Sequence, residues 1–212
     1  MSSACLAYCF MYATQRNGSE YMTSFWLVRH GQTDWNLAGR WQGQAADAPP
    51  LNDAGKAQAL SLQGQIKNIP ISAIYASDLL RARQTAELLA EPLGLPVILE
   101  PRLREMNLGA WEGMLSDEIK ARYPHELAER SRDPVHTQAP GGESPLQVAA
   151  RVIAAANEIG VRHRDETVMI VAHGVPLAVL TCLSRDIPME RLYEFVPENA
   201  KLIPIEWKAL QE

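Results

Sequence analysis

Two short apolar runs in this sequence end in the same dipeptide, and this pairing constrains the fold more than any other feature. The run Phe25–Arg29 leads directly into His30-Gly31. The run Val168–Ala172 leads in the same way into His173-Gly174. Each run has the length and composition of a buried β-strand. A histidine that ends a strand and precedes glycine can project from a tight turn toward a ligand. The two histidines therefore predict one site at one edge of a sheet.

The rest of the pattern alternates helices with strands. Further strands are predicted at Ile71–Ala76, Val97–Glu100 and Leu202–Trp207. Helices are predicted at Asp53–Ile66, Asp78–Leu93 (capped by Ser77), Ser116–Tyr123, His125–Arg130, Pro145–Gly160 (capped by Ser144) and Pro176–Leu183. Such alternation predicts an α/β fold, a three-layer sandwich with a mostly parallel central sheet and helices on both faces. In such folds ligands bind outside the carboxyl ends of the strands.

The composition fits a single folded domain with an anionic or neutral small-molecule ligand. The chain has 212 residues, of which 47% are apolar, enough for a buried core. Lys and Arg number 20 and Asp and Glu number 25, so the net charge is 20 − 25 = −5. This charge argues against a nucleic-acid partner. An anionic substrate would therefore need a local cluster of positive side chains, because the net negative charge of the chain repels it. The oligomeric state stays open.

The N-terminal residues are predicted to form a loose extension, residues 1–21, ahead of a domain over residues 22–212. The apolar run Ala4–Ala13 is shorter than the roughly 20 residues of a membrane helix, so no membrane partner is expected. No Lys or Arg precedes this run, so a secretory leader is not expected either. The three scattered cysteines favour reduced thiols in a cytoplasmic protein.

The histidines and the residues beside them are compatible with nucleophilic chemistry by an imidazole. An imidazole is a competent nucleophile when a hydrogen bond to one nitrogen orients the other. A single histidine at a strand end is more often structural, but Arg29 directly precedes His30 and a second histidine ends another strand. No run of His, Asp or Cys has the spacing of a metal site, so neither metal nor cofactor is expected.

Five sequence elements, in order along the chain, carry a family resemblance. The segment Leu27–Thr33 (LVRHGQT), with Trp35-Asn36 after it, resembles the signature of the histidine phosphatase superfamily, also called the phosphoglycerate mutase-like family. The other matching elements are Ser77–Ala82, Leu103–Glu105 with Gly109–Gly113, Gly141–Ser144 and Val171–Gly174. The resemblance covers Phe25–Trp207. It also implies a small helical cap inserted over the site at about residues 114–142.

The resemblance implies a covalent mechanism for the hydrolysis of small phosphomonoesters. His30 would attack phosphorus and become phosphohistidine, with no metal. Glu105 would protonate the leaving oxygen and then activate the water that cleaves phosphohistidine. The phosphoryl oxygens would be surrounded by Arg29, Arg81 and a protonated His173, with added hydrogen bonds from Asn36, Gln42 and the backbone N–H of Gly174. The positive groups would supply the charge that a metal gives other phosphatases.

Two features of the sequence bear on alternatives to this interpretation. Related sequences commonly place two residues fewer between Gln42-Gly43 and Pro50-Leu51, so the loop beside the site is longer here and the position of Gln42 is open. Mutases of the family carry Glu-Arg-His-Tyr-Gly where this chain reads Glu105–Gly109, EMNLG, which favours the phosphatase branch. A phosphoglycerate mutase and an inactive binding protein of the same fold remain the alternatives. The physiological phosphorylated metabolite is not defined by the sequence.

Overall fold

The computed structural model describes residues 22–209, so the predicted extension, residues 1–21, lies outside the described residues. The strands of this part are β1 (Met22–Arg29), β2 (Ile71–Ala76), β3 (Val97–Leu99), β4 (Thr167–Ala172) and β5 (Leu202–Lys208). The α-helices are α1 (Asp34–Ala38), α2 (Asp53–Ile66), α3 (Leu80–Ala90), α4 (Ser116–Arg122), α5 (Pro124–Arg132), α6 (Pro145–Arg162) and α7 (Gly174–Ser184). Short 3₁₀ turns lie at Glu91–Leu93, Pro101–Leu103, Gly109–Trp111 and Met189–Phe195.

The five strands form one sheet in the order β3-β2-β4-β1-β5. The pairs β2–β3, β2–β4 and β1–β4 are parallel, and β1–β5 is antiparallel. The prediction of a mostly parallel sheet is therefore confirmed. In the β1–β4 register Arg29 pairs with Ala172. His30 and His173 consequently leave adjacent strands at the same edge, as their positions in the sequence predict.

Helices cover both faces of the sheet, so the three-layer prediction is also confirmed. On one face Phe25, Leu27 and Ile170 pack in a common core with the apolar stripe of α6 and with α7. On the other face Val28 and Met169 pack with α2 and α3. Successive side chains of a strand point to opposite faces, which explains how one strand feeds both cores.

Several helix boundaries differ from the predictions. The helix expected over Asp78–Leu93 runs from Leu80 to Ala90, with Leu79 as its N-cap, and the helix expected from Pro176 starts at Gly174. The Ser77 hydroxyl accepts from the N–H of Leu79 at 3.3 Å and lies 2.8 Å from Nε2 of His173. The stop expected at Gly160 is also wrong, since α6 runs on for two residues. A Cβ at Gly160 would lie 2.9 Å from the Cβ of Ala209, so the glycine allows close packing inside the helix.

The segment from Met114 to Gly142, called the insertion segment below, contains the two short helices α4 and α5. Pro124 occupies the first position of α5, where its missing N–H is not needed, so it starts this helix as well as separating it from α4. α5 extends to Arg132, two residues beyond the prediction. The role of the insertion segment as a cap stays a prediction.

Candidate active site

His30 follows β1, and one backbone contact fixes its tautomer. Its Nδ1 lies 2.8 Å from the carbonyl oxygen of Gly31. Because a carbonyl only accepts hydrogen bonds, Nδ1 carries the proton and Nε2 keeps its lone pair. His30 is 2% exposed. Burial, helped by the charges of Arg81 and Arg29, holds the pKa of His30 well below its usual range. At neutral pH His30 is therefore a neutral imidazole with a nucleophilic Nε2.

Glycines bring the turn after His30 against α2. A Cβ on Gly31 would lie 2.4 Å from the carbonyl oxygen of Gly55, and one on Gly55 would lie 2.1 Å from that of Gln32. Neither position accepts a side chain without movement of backbone. The N–H of Gly31 also donates to Oγ1 of Thr85 at 3.0 Å. The turn is thus held between α2 and α3.

Arg81, in the first turn of α3, joins His30 to the neighbouring loop. Its Nε donates to Nε2 of His30 at 3.2 Å, and its Nη2 donates to the carbonyl of Gly43 at 2.8 Å. Burial lowers the pKa of Arg81 to about 10, against the opposing charge of Glu105. The guanidinium therefore stays charged at neutral pH. Arg83, two residues on, is exposed and forms an ion pair along its own helix.

Arg29 places a second buried guanidinium beside His30. Its Nη1 donates to the carbonyl of Pro197 at 2.6 Å. Its Nε is buried and has no hydrogen-bond partner among residues 22–209. Burial lowers the pKa of Arg29, and the negative charge of Glu105 opposes this effect. Arg29 therefore brings positive charge and an unused donor to the site.

The carboxylate of Glu105 is held at the first turn of α7. Oε2 accepts from the N–H of Gly174 at 2.9 Å, and Oε1 accepts from Val175 at 3.2 Å and from Met106 at 2.8 Å. A helix N-terminus favours negative charge, which suits this placement. The Gly174 N–H, expected to bind a phosphoryl oxygen, is thus engaged by Glu105 here. A Cβ at Gly174 would lie 3.5 Å from Oε2 of Glu105 and 3.9 Å from Cζ of Arg29, so carboxylate and guanidinium flank this glycine.

An ion pair braces the loop that carries Glu105. Nη2 of Arg151 donates to the carbonyl of Glu105 at 2.9 Å, and Nη1 donates to that of Arg104 at 2.6 Å. The same guanidinium pairs with Glu143 at 2.9 Å. Glu143 also accepts from the N–H of Asn107 at 2.8 Å. The brace fixes the backbone on both sides of the Glu105 carboxylate.

His173 lies next to His30, with 5.1 Å between the ring centroids. Its Nε2 lies 2.8 Å from the Ser77 hydroxyl, and its Nδ1 is buried with no partner in the described part of the chain. Burial and the charge of Arg81 hold the pKa of His173 well below its usual range. The protonated state of His173 beside a phosphoryl group stays a prediction. Arg81 and Arg29 already place two positive charges in this buried space, which disfavours a third.

The lengthened loop still brings Gln42 to the site. Gln42 is 7% exposed, and its Oε1 has no hydrogen-bond partner within residues 22–209. The next residue, Gly43, has a φ of 51° and offers its carbonyl to Arg81. The N–H of Gln44 donates to Oε1 of Glu112 at 2.7 Å. Glu112 therefore anchors the loop.

Asn36 has a structural partner at the start of α1. Its Oδ1 accepts from the N–H of Thr33 at 3.2 Å and from Nδ2 of Asn199 at 3.3 Å. Asn199 Nδ2 also donates to the carbonyl of His30 at 2.9 Å. Asn36 thus supports the turn that carries His30, and its contact with substrate stays a prediction.

Some residues of the site were not singled out by sequence reasoning. They are Ser77, Thr85, Arg151 and Asn199. Each supports a catalytic candidate from 46 to 169 positions away in the chain. Local periodicity carries no signal of such pairs. Ser77 alone lay in a motif that the resemblance matched, and its position there was the available signal.

Three buried polar atoms around His30 lack a hydrogen-bond partner among the described residues: Arg29 Nε, Gln42 Oε1 and His173 Nδ1. Buried polar atoms in proteins are nearly always paired. Rotation of the Gln42 amide by half a turn exchanges its oxygen and nitrogen, so this side chain offers either an acceptor or a donor. With two guanidiniums beside them, these atoms fit a site that a polar anion completes.

Residues 22–209 contain no group of three or more His, Cys, Asp or Glu side chains arranged to hold a metal ion. In the same range no helix is long and apolar enough to cross a membrane. Cys182 is a buried free thiol, and burial raises its pKa to about 11. This cysteine is therefore a poor nucleophile at neutral pH.

Comparison with known proteins decides the family. A family model described as the histidine phosphatase superfamily (branch 1) matches residues 25–211, most of the chain. The chain belongs to the histidine phosphatase superfamily. The resemblance that the motifs carry is thereby confirmed.

Individual members of the superfamily are similar over most of their length. Phosphoserine phosphatase 1 of Hydrogenobacter thermophilus is 35% identical over 179 residues, 84% of this chain and 84% of that one. A probable phosphoglycerate mutase of Erwinia tasmaniensis is 35% identical over 167 residues, 79% of this chain and 77% of that one. A solved mycobacterial glucosyl-3-phosphoglycerate phosphatase, in complex with VO3, is 34% identical. Its TM-score is 0.76, and the match covers 85% of this chain and 90% of that chain.

These findings confirm the enzyme class and leave the finer predictions open. Membership of the superfamily, with two relatives named as phosphatases, identifies the chain as a hydrolase of the phosphatase class. The structures agree in fold as well as in sequence. The catalytic roles of individual residues and the substrate belong to the proposal that follows.

Proposed function

We propose that this member of the superfamily hydrolyses small phosphomonoesters through a phosphohistidine on His30, without a metal ion. The observation that carries the proposal is the state of His30. Its Nδ1 proton is engaged by Gly31, its Nε2 keeps a lone pair, and a depressed pKa keeps it neutral. A nucleophile in this state needs no base to activate it.

The neighbours of His30 supply the rest of a balanced reaction. Nε2 attacks phosphorus, and the bond to the leaving oxygen breaks while Glu105, which must enter this step in its protonated form, gives that oxygen a proton. Glu105 then takes a proton from water, which attacks the phosphohistidine and frees inorganic phosphate and His30. Arg29 and Arg81 neutralise charge on the phosphoryl oxygens throughout.

The unpaired buried atoms support an oxyanion role for the same residues. Arg29 Nε and Arg81 offer guanidinium donors, which are suited to phosphate geometry. His173 enters as a neutral ring whose free Nδ1 faces no protein partner in the described range. A bound phosphate dianion favours its protonation, because opposite charge raises the pKa of an imidazole. His173 would then become cationic only when substrate is present.

A phosphoglycerate mutase is the second candidate, supported by the relative from Erwinia tasmaniensis at 35% identity. The names of the phosphatase relatives favour hydrolysis of phosphorylated metabolites such as phosphoserine or a phosphoglycerate derivative. An inactive binding protein is disfavoured, because the nucleophile, the carboxylate and both guanidiniums lie together. The particular metabolite is left to a screen of phosphate release over a panel of phosphomonoesters.

Rapid quench with labelled substrate tests the proposal. A phosphoenzyme should be trapped that is stable in alkali and labile in acid, as expected for phosphohistidine. His30→Ala should abolish both the label and phosphate release. His125→Ala is the matched control, because the His125 side chain is 76% exposed and lies outside the site. Label that persists in His30→Ala would show that another residue carries the phosphoryl group.

A further inference from the structure

Arg130, in α5 of the insertion segment, is held among three aromatic rings. Its Cζ lies 4.4 Å from the ring centroid of Tyr193, 4.9 Å from that of Trp41 and 5.7 Å from that of Trp111. Such contacts hold a guanidinium by cation–π attraction and limit its movement. We call these four residues the arginine cage.

The guanidinium in the arginine cage has no anionic partner among the described residues. Nη1 of Arg130 is buried and has no hydrogen-bond partner among residues 22–209, and no carboxylate of that range pairs with it. The half-buried Arg151 differs in this respect, since it pairs with Glu143 and donates to the carbonyl of Glu105 at 2.9 Å. A charged donor taken out of water without an acceptor is unfavourable, so the cage is a site that an anion would complete.

A second donor in the cage lacks an acceptor as well. The hydroxyl of Tyr193 is buried, and its O–H finds no acceptor in the described part of the chain. Burial raises the pKa of Tyr193, and the charge of Arg130 and its side-chain contact with the phenol oxygen oppose this effect. The phenol is therefore neutral at physiological pH and keeps its O–H to donate. Nη1 of Arg130 and the O–H of Tyr193 thus lie close together, and neither of these two donors finds an acceptor among residues 22–209.

The arginine cage borders the catalytic site on the side of Glu105. Val196, three residues after Tyr193, lies beside Gly174, because a Cβ on that glycine would be 2.9 Å from Cγ1 of Val196, and the N–H of Gly174 donates to Glu105. Trp41 directly precedes Gln42, the buried side chain whose loop is bonded to Arg81 through Gly43. Because Glu105 is assigned to the leaving oxygen, the cage lies where the alcohol part of a substrate would extend.

We propose that Arg130 and Tyr193 bind a carboxylate on the alcohol part of the substrate, which makes the enzyme selective for phosphomonoesters that carry a carboxylate. The inference rests on the proposed function, since it assigns the leaving-group side of the same site. A planar carboxylate accepts from the fork of a guanidinium and from a hydroxyl at once. The single positive charge of Arg130 also matches the single negative charge of a carboxylate. A second phosphate dianion at this place would carry more negative charge than Arg130 can neutralise, in a chain whose net charge is already −5.

Two commercial phosphomonoesters test this selectivity directly. O-phosphoserine and O-phosphoethanolamine differ only by the carboxylate. The wild-type enzyme should prefer phosphoserine by about tenfold or more in kcat/KM. Arg130→Met should lower kcat/KM for phosphoserine by about 10- to 100-fold, mainly through KM, as expected for loss of a charge-assisted hydrogen bond. The same variant should change kcat/KM for phosphoethanolamine by less than about threefold, because that substrate offers no carboxylate.

Matched variants separate binding from folding. Arg132→Met removes an exposed arginine two residues away in α5 and should leave both substrates unaffected. Tyr193→Phe keeps the ring of the cage and removes only the donor, so it should reduce the preference for phosphoserine by a few-fold. If Arg130→Met does not fold, as judged by thermal unfolding, Tyr193→Phe decides the proposal on its own.

The outcomes also distinguish this inference from the proposed function. A wild-type enzyme that hydrolyses both substrates without preference, or variants that lower both rates equally, would overturn the carboxylate site and leave the phosphatase intact. Absence of phosphate release from every phosphomonoester and absence of a phosphoenzyme would overturn the proposed function, and the carboxylate site with it.

Discussion

The rings of His30 and His173 lie 5.1 Å apart, and burial and nearby guanidiniums keep both of them uncharged. In an unfolded chain both imidazoles titrate near pH 6.5. Folding therefore lowers two pKa values, and the unfolded state binds more protons than the folded state just below pH 6.5. This difference couples the chemistry of the site to the stability of the whole domain.

The sign of that coupling gives a prediction for stability. The two neutral histidines contribute fully to the free energy of unfolding above about pH 6.5. This contribution is lost as pH falls toward the pKa values that the histidines have in the folded protein. The lowered carboxylate pKa values of Asp78 and Glu100 act only below about pH 4.5, so the interval from pH 6.5 to 5 isolates the histidines. Urea midpoints measured at pH 7, 6 and 5 should fall steadily. A midpoint that stays constant or rises over this interval would contradict neutral, buried histidines.

Glu105 gives a second prediction at this scale. Glu105→Gln keeps an oxygen that can accept from Gly174 but removes the proton transfer, so kcat for phosphoserine should fall by about 10²–10⁴-fold. The burst of p-nitrophenolate from p-nitrophenyl phosphate should suffer less, because that leaving group needs little protonation. Glu198→Gln, at an exposed position, is the control. An unchanged kcat for phosphoserine would remove Glu105 from the mechanism.

At the scale of the elements, α2 contains two glycines with opposite expected behaviour. Gly55 faces the backbone of Gln32 at a distance that excludes a Cβ, whereas a Cβ at Gly64 would meet nothing within 4 Å. Gly55→Ala should therefore displace the turn after His30, lowering both the melting temperature and kcat. Gly64→Ala should stabilise the same helix by about 0.5–1 kcal/mol, since alanine is the better helix former. Similar melting temperatures for the two variants would argue against the close approach.

The elements that sequence reasoning placed well are those whose signals are local. β2 has the predicted bounds, and α2 and α6 begin at the predicted residues, after the caps Asn52 and Ser144, because apolar periodicity and capping residues act within a few positions. The contact between the Ser77 hydroxyl and His173, 96 residues away, was not predicted. No local rule reports such a contact.

The same distinction applies to the candidate site. The motif residues His30, Arg81 and Glu105 were predicted because the family resemblance fixes their positions in the chain. The arginine cage was not predicted, because its members come from segments that only the folded chain brings together. The neutral state of His173 was not predicted either, since it depends on burial and on charges contributed by other elements.

At the scale of the whole molecule, the insertion segment bears on the choice between hydrolysis and mutase transfer. Its helices α4 and α5 are only 7 and 9 residues long. A mutase must protect phosphohistidine from water, which requires a well-closed site. Such short elements favour access of water, present at about 55 M, to the base Glu105.

We therefore expect phosphate release to dominate over isomerisation of 3- and 2-phosphoglycerate. Both reactions are to be assayed on one preparation, with and without 2,3-bisphosphoglycerate. Isomerisation that outruns phosphate release by orders of magnitude would establish the mutase alternative instead.

The order of strands has a consequence for synthesis of the protein on the ribosome. β1, which carries the nucleophile, lies between β4 and β5, and Met22 pairs with Lys208, so its two neighbours are made long after it. At about 5–20 residues per second the strand waits on the order of ten to forty seconds for its last partner. Until then neither Arg29 nor His30 has the backbone that positions it. A nascent chain that stalls before β4 would therefore be catalytically silent, and this phosphatase would gain its activity only after β5 has been made.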